Sequence, residues 1–229
     1  MRLVSSFFTG EIEFDGEHVH SLVLEGQAVF RAFLEDLCDQ LDGLEGESVL
    51  SEACMPVPMS KRVALVADFV PFTVSTKELT AAAVKQLEKS AREPERIVET
   101  KRLLKTVEMY VRDCALDLPC EIEVGRLTVG ALVKACGVTF AEEGLSLLEK
   151  LVFFMQTTRE LLGEKLFVFV NLRSYLTDAE TAAFIADATN RHFAVLLLES
   201  SERKLLPGER RRLVDENLCE IVSPEPEEI

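Results

Sequence analysis

The chain has 229 residues, 48% hydrophobic and 28% charged, with no tryptophan and a formal charge of −15, so it can bury a sizeable core as one large or two small domains. No apolar run nears the roughly 20 residues that cross a bilayer, and the opening MRLVSSFFTGEIEF turns acidic before any signal-peptide core can form; a cytoplasmic protein without membrane contact is expected. The acidic balance also argues against diffuse binding to nucleic acid, whose non-specific affinity comes from phosphate neutralisation.

Residues 2–8 and 11–14 are short apolar runs on either side of Thr9-Gly10, the pattern of an edge pair. A short strand is expected at 22–24. A helix follows over 27–41, carried by Phe30, Phe33, Leu34, Leu37 and Leu41 at helical spacing and ended by Gly43 and Gly46. Residues 42–60, with Pro56 and Pro58, read as loop, and VALVADFV at 63–70 reads as a buried strand broken by Pro71. From Lys77 to Cys114 the pattern is helical. Pro94 is tolerated only near a helix start, so helices over 77–92 and 94–116 are expected. Pro119 interrupts again, and short and long helices follow over 127–136 and 145–162, ended by Gly137 and Gly163.

The run 166–170, LFVFV, is apolar at every position, as in a strand buried on both faces of a parallel sheet. Thr177 and Glu180 have capping-box spacing and open an amphipathic segment, and a second buried run occupies 193–198. Strand, helix and strand in this order form a βαβ unit. After Pro207-Gly208 a short helical piece and a final strand at 218–222 are expected, then a disordered tail, SPEPEEI. Strands near 22 and 63 need those near 166 and 193 to complete a sheet. An α/β fold follows, with a mostly parallel sheet in residues 1–74 and 163–229 and an inserted helical subdomain over 75–162.

Charge is unevenly spread. Residues 1–60 hold two basic and twelve acidic side chains, whereas 85–105 hold seven basic and four acidic, and 201–212 five basic and two acidic. Lys85, Lys89, Arg92 and Arg96 are spaced i, i+4, i+7 and i+11, which on one continuous helix is a single face, and Lys101, Arg102 and Lys105 extend it. Such a stripe can follow phosphates without reading bases; the plainer reading is a solvated face balanced by Glu88, Glu93, Glu95 and Glu99. Arg203, Lys204, Arg210, Arg211 and Arg212 form a second patch, with Glu202 and Glu209 available to neutralise part of it.

Catalytic motifs are missing. The segment after the first parallel strand, EGQAVFRAF, lacks the Gly-Lys-Ser/Thr of a phosphate-binding loop, and no dinucleotide fingerprint occurs. His18 and His20 lack further ligands for zinc, and the six cysteines form no C-x-x-C, so they are expected to be buried, reduced thiols. The edge beyond the buried strands, with Asn171, Arg173, Ser174, Tyr175 and Glu199, is where a ligand of such a sheet would sit.

FVNLRSYLT, VLLLES and the ERK triplet, with SLVLEGQAVFRAFLEDL and CEIEVGRLTVGALVKACGV upstream, resemble the Csn-two family, the adaptation ring protein of subtype II-A CRISPR systems. The resemblance covers most of the chain in order, leaving roughly 75–115 matched only in helical character. It implies an α/β head resembling a P-loop ATPase core without the P-loop, plus an inserted helical leg. It further implies a non-catalytic homotetrameric ring that holds double-stranded DNA, threads onto free ends, and works with the CRISPR integrase and effector nuclease in spacer acquisition. The basic residues singled out for DNA are Lys85, Lys89, Arg92, Arg96, Lys101, Arg102, Lys105, Arg203 and Lys204. The family binds Ca²⁺ where head meets leg; the matching stretch, LDLPCEIE, offers Asp117, Glu121 and Glu123, with Pro119 and Cys120 where the family runs acidic. Two other readings stand beside this one: a degenerate nucleotide-binding or kinase-like domain with its ligand near 171–175, and a protein-interaction module without nucleic acid.

Overall fold

The computed structural model describes residues 1–223. The tail expected to be disordered lies, from residue 224 on, outside the described residues. Two units divide the chain: one comprises Met1–Phe72, Gly144–Arg159 and Gly163–Ile229, the other Thr73–Glu143 with Glu160–Leu162.

The larger unit is built on a six-stranded sheet of β3 (Val19–Leu24), β6 (Val63–Val66), β7 (Leu166–Val170), β8 (Ala194–Glu199), β9 (Glu209–Val214) and β10 (Glu220–Ser223), in the order β10-β9-β3-β8-β7-β6. All its pairings are parallel except β10 with β9. Every residue of β7 and β8 is buried, which is why both read as unbroken apolar runs: each face of the sheet is covered. On one face, α1 (Gln27–Leu41) inserts Phe33 and Leu37 against Leu22, Leu24, Leu196 and Leu198. A four-stranded antiparallel sheet, β2-β1-β4-β5, closes the same core with Leu3, Ile12 and Leu50; its strands are β1 (Arg2–Val4), β2 (Glu11–Glu13), β4 (Val49–Glu52) and β5 (Met55–Pro56). The short α2 (Met59–Arg62) leads into β6.

The other face is lined by phenylalanines. Phe184 of α7 (Asp178–Asn190) meets Phe169 edge-on at 5.4 Å, Phe193 meets Phe167 at 5.7 Å, and Phe154 of α6 (Leu147–Leu162) meets Phe167 at 6.0 Å. This corrects the expectation that 145–162 belongs whole to the insertion: Gly144–Arg159 falls in the larger unit, and only Glu160–Leu162 in the smaller. The apolar side of α6, with Leu151 and Met155 fully buried, packs on the sheet. Both α6 and α7 start with reciprocal capping boxes, Ser146 with Glu149 and Thr177 with Glu180.

Three further expectations are revised. Residues 49–56, read as loop, form a hairpin whose turn residues Ala53 and Cys54 both take positive φ, the geometry of a two-residue turn in a sequence that lacks the usual Asn-Gly signal. The piece after Gly208, expected to be helical, is β9: Glu209, Arg211 and Leu213 face one way and Arg210 the other, because pairing with the open edge of β3 overrides the helix propensity of Glu and Arg. All six cysteines, expected to be buried, are exposed; Cys38 and Cys114 lie on the solvent sides of their helices and Cys54 at the hairpin tip. No helix among the described residues is long and apolar enough to cross a membrane.

The smaller unit contains α3 (Lys77–Ser90), α4 (Ile97–Ala115) and α5 (Val129–Ala135). α3 buries Leu79 and Val84 and packs on α5, where Gly130 lets the helices approach: a Cβ there would lie 2.0 Å from the Glu88 carboxylate. Glu142 accepts the Val74 N–H at 2.8 Å and the Thr73 hydroxyl, closing the two chain ends of the unit together. α4 buries none of its 19 residues; Val98, Leu103, Met109, Tyr110 and Val111 are exposed along it.

Candidate nucleic-acid interface

The basic residues of the helical unit do not lie on one helix. α3 ends at Ser90 and α4 starts at Ile97, with Pro94 in the connection, so Arg92 and Arg96 sit beyond the helix that carries Lys85 and Lys89. The stripe from Lys85 to Arg96 is therefore broken. Arg92 pairs with Glu88 at 3.4 Å and Arg96 donates to Ser90 Oγ at 2.8 Å. On α4, Lys101 and Lys105 share a face with Arg112, while Arg102 points about 100° from Lys101 and about 60° from Lys105. Lys85, Lys89, Arg92, Arg96, Lys101, Arg102 and Lys105 are all exposed.

Lys85 has neighbours that the spacing did not reveal. With Lys77, Lys134, Ser75 and Thr80 it lines a cleft of about 550 Å³ in which Glu88 is the acidic member. Three ammonium groups around one concavity concentrate positive potential more than the same charges along a convex helix. Lys134 comes from a segment 49 residues downstream of Lys85, so no local pattern could have joined them.

In the sheet unit the second basic patch separates into exposed and structural members. Arg203 and Lys204 are exposed on the loop between β8 and β9. Arg211 is 5% exposed and pairs with Glu202 at 2.5 Å. Arg212 is held by Glu220 and by the carbonyls of Thr9 and Glu11, and lies over the Phe8 ring. Arg210 is exposed and 3.8 Å from Asp15. Among the described residues, no ion pair holds Lys85, Lys89, Lys101, Arg102, Lys105, Arg203 or Lys204.

The strand-end edge at 171–175 is occupied by the protein's own groups. Asn171 adopts a left-handed conformation, φ 54°, and its side-chain oxygen accepts the Ser200 N–H and hydroxyl, each at 2.9 Å. Arg173 is buried; its N–H donates to Glu199 Oε1 at 3.1 Å, and its guanidinium to Glu209 at 3.4 Å and Asp178 at 3.3 Å. Burial pushes the Glu199 carboxyl up to about 7, against the opposing pull of the Arg173 N–H and the charges of Arg173 and Arg203.

Asp117, Glu121 and Glu123 are exposed, and only the two glutamates line the cleft they share with Arg112, Leu116 and Cys120. A calcium ion takes six to eight oxygens, and the structure does not gather these three carboxylates into a ligand set. Among the described residues, one trio of ligating side chains does come within reach of a common ion, Asp15, Glu17 and His18. Asp15 there already accepts the Glu17 N–H at 2.8 Å and faces Arg210.

No curated protein matches the chain. Among solved structures it is similar to the crystal structure of Stu0660 of Streptococcus thermophilus, with a TM-score of 0.56 and 13% identity over 99% of this chain and 76% of that one; at that identity the likeness is one of fold. A family model, CRISPR-associated protein (Cas_Csn2), matches residues 40–218, which include β4 to β9 and the whole helical unit. The chain therefore belongs to the Cas_Csn2 family of CRISPR-associated proteins and has a role in CRISPR immunity.

Proposed function

We propose that this chain is a non-catalytic, cytoplasmic double-stranded DNA-binding protein that acts as a homotetrameric ring during spacer acquisition, receiving DNA ends and working beside the CRISPR integrase and effector nuclease. The observation that carries the reading is a set of exposed cations that, among the described residues, have no ion-pair partner, Lys85, Lys89, Lys101, Arg102 and Lys105, with Lys77 and Lys134 gathered around the same cleft as Lys85. In a protein of charge −15, cations that form no ion pair among the described residues are available to phosphates. Contacts of this kind neutralise a backbone without reading sequence, and repeating them in four subunits adds affinity by enclosure. The bare apolar flank of α4, with Leu103, Tyr110 and Val111 exposed, supports self-association.

Binding of a linear duplex and of the same DNA as a closed circle, across a salt series, tests the reading. Binding restricted to the linear form, falling steeply with salt, is expected. Equal binding to both forms removes threading, and binding to neither removes the DNA reading.

A further inference from the structure

The loop between β8 and β9, residues 200–208, presents Arg203 and Lys204 to solvent. It has no secondary structure of its own, yet most of what borders it is tied to buried groups. Ser200 is held by Asn171 through two hydrogen bonds. Glu202 pairs with buried Arg211. Leu206 donates its N–H to Glu209 Oε2 at 3.0 Å, and its carbonyl accepts the Glu209 N–H at 3.1 Å. The Gly208 carbonyl accepts the Val19 N–H at 2.9 Å. Glu199, the last residue of β8, and Glu209, the first of β9, are 2% and 1% exposed.

One residue joins the two ends, the first by its backbone N–H and the second by its side chain. Arg173 is 6% exposed; its backbone N–H reaches Glu199 and its guanidinium reaches Glu209, with Asp178 as a third, exposed carboxylate. The arrangement is costly: Arg173 Nε is buried with no hydrogen-bond partner among the described residues. A buried ion pair seldom stabilises a fold more than apolar residues of the same volume would. What a charged, planar group does supply is a fixed geometry between the Glu209 and Asp178 carboxylates, beside the Glu199 tie made by the Arg173 backbone, that an apolar contact would leave free to slide.

We propose that Arg173 is a positioning residue for DNA contact: from beneath the sheet edge it fixes both ends of the 200–208 loop and so holds Arg203 and Lys204 in the orientation that meets the phosphate backbone. This rests on the DNA-binding reading above. It assigns the buried charges at the strand ends, which lie where an α/β sheet would carry a ligand, to shaping a surface instead of holding a small molecule. Asn171 serves the same loop at its β8 end, through Ser200.

Loop order is read without DNA by the rate of tryptic cleavage after Arg203 and Lys204, and DNA contact by the salt dependence of duplex binding. Both are measured on the full chain for wild type, Arg173→Met, Asn171→Gly, and Arg203→Ala with Lys204→Ala. Asn171→Gly keeps the left-handed turn and removes only the tie to Ser200, so it reports on the loop if Arg173→Met fails to fold. The double alanine variant should lower the slope of log K against log salt by about 1.8 per protomer. Arg173→Met and Asn171→Gly should each speed cleavage about ten-fold or more, a loss of loop protection on the scale of local opening, and lower the slope by at least about half of that 1.8. Adding either to the double alanine variant should lower it no further. Unchanged cleavage overturns the proposal, as does faster cleavage with an unchanged slope, or a further loss on top of the double variant. A wild-type chain that binds no duplex overturns the DNA reading itself, and this role with it.

Discussion

Glu199 gives the sharpest stability test. It is 2% exposed at the end of β8, and burial raises its carboxyl from an ordinary 4.5 to about 7. A carboxyl whose folded pKa lies above its unfolded one binds more protons folded than unfolded between those two values. Stability is therefore greatest below about pH 4.5 on this account, and is lost as pH rises towards 7, levelling above it. The whole shift corresponds to about 3 kcal/mol, at about 1.4 kcal/mol per unit. Glu199→Gln keeps an oxygen to accept the Arg173 N–H and removes the ionisation. The variant should thus gain about 2.5 kcal/mol on wild type between pH 5 and pH 8. Carboxyls held low by hydrogen bonds, such as Glu149 and Glu180 at their capping boxes, are common to both proteins and cancel in the difference. Urea unfolding followed by far-UV circular dichroism at several pH values provides the measurement, since the chain has no tryptophan. The Arg173 amide proton should titrate with a midpoint near 7 in wild type only. Parallel pH profiles in the two proteins would show that Glu199 is ordinarily solvated and refute the reasoning.

Other expectations follow from the same structure. Lys85→Ala or Lys134→Ala should each lower the salt slope of duplex binding by about 0.9 per protomer, equally for all sequences, and a sequence-dependent loss would point to base contact. Thr177→Ala removes the cap of α7 and should cost about 1 kcal/mol in urea unfolding, with no change in DNA binding. Phe33→Ala empties a fully buried site ringed by Phe7 and Phe8, at 5.5 and 6.3 Å, and should cost about 3–5 kcal/mol. Calorimetric titration with Ca²⁺ should give no saturable heat assignable to Asp117, Glu121 and Glu123; a heat abolished by Glu121→Gln with Glu123→Gln would show that the 116–124 segment folds around the ion.

What could be read from the residues depended on the range of the forces involved. LFVFV and the second buried run gave their strands because two-sided burial leaves no polar position. Thr177 with Glu180 gave a helix start because both partners of a capping box lie within one turn. Pro94 separated α3 from α4 for an equally local reason. β9 was hidden because ERRRLV has the composition of a helix, and its parallel partner β3, which with β10 makes it a strand, lies 190 residues away. The lysine cleft was hidden for the same cause, since Lys77, Lys85 and Lys134 meet through the packing of α3 on α5. Arg211 and Arg212 looked like surface charge until their partners, Glu202 and Glu220, were placed. Arg173 sits within FVNLRSYLT, but nothing in that string says that its charge points inward.

The position of β3 in the middle of the sheet governs how the chain can be made. Leu22 lies beside Leu198 on one side and Arg212 on the other, so both flanks of this early strand are supplied by the last fifth of the polypeptide. A ribosome adding 5–20 residues per second needs on the order of ten to forty seconds to cover that gap. Throughout that interval the nascent β3 has apolar faces and two unpaired edges. The α3–α5 helices, whose contacts are local by comparison, emerge meanwhile and can fold early. Truncated or stalled products that lack β8 and β9 would carry β3 as an open template, a natural target for chaperones and for aggregation.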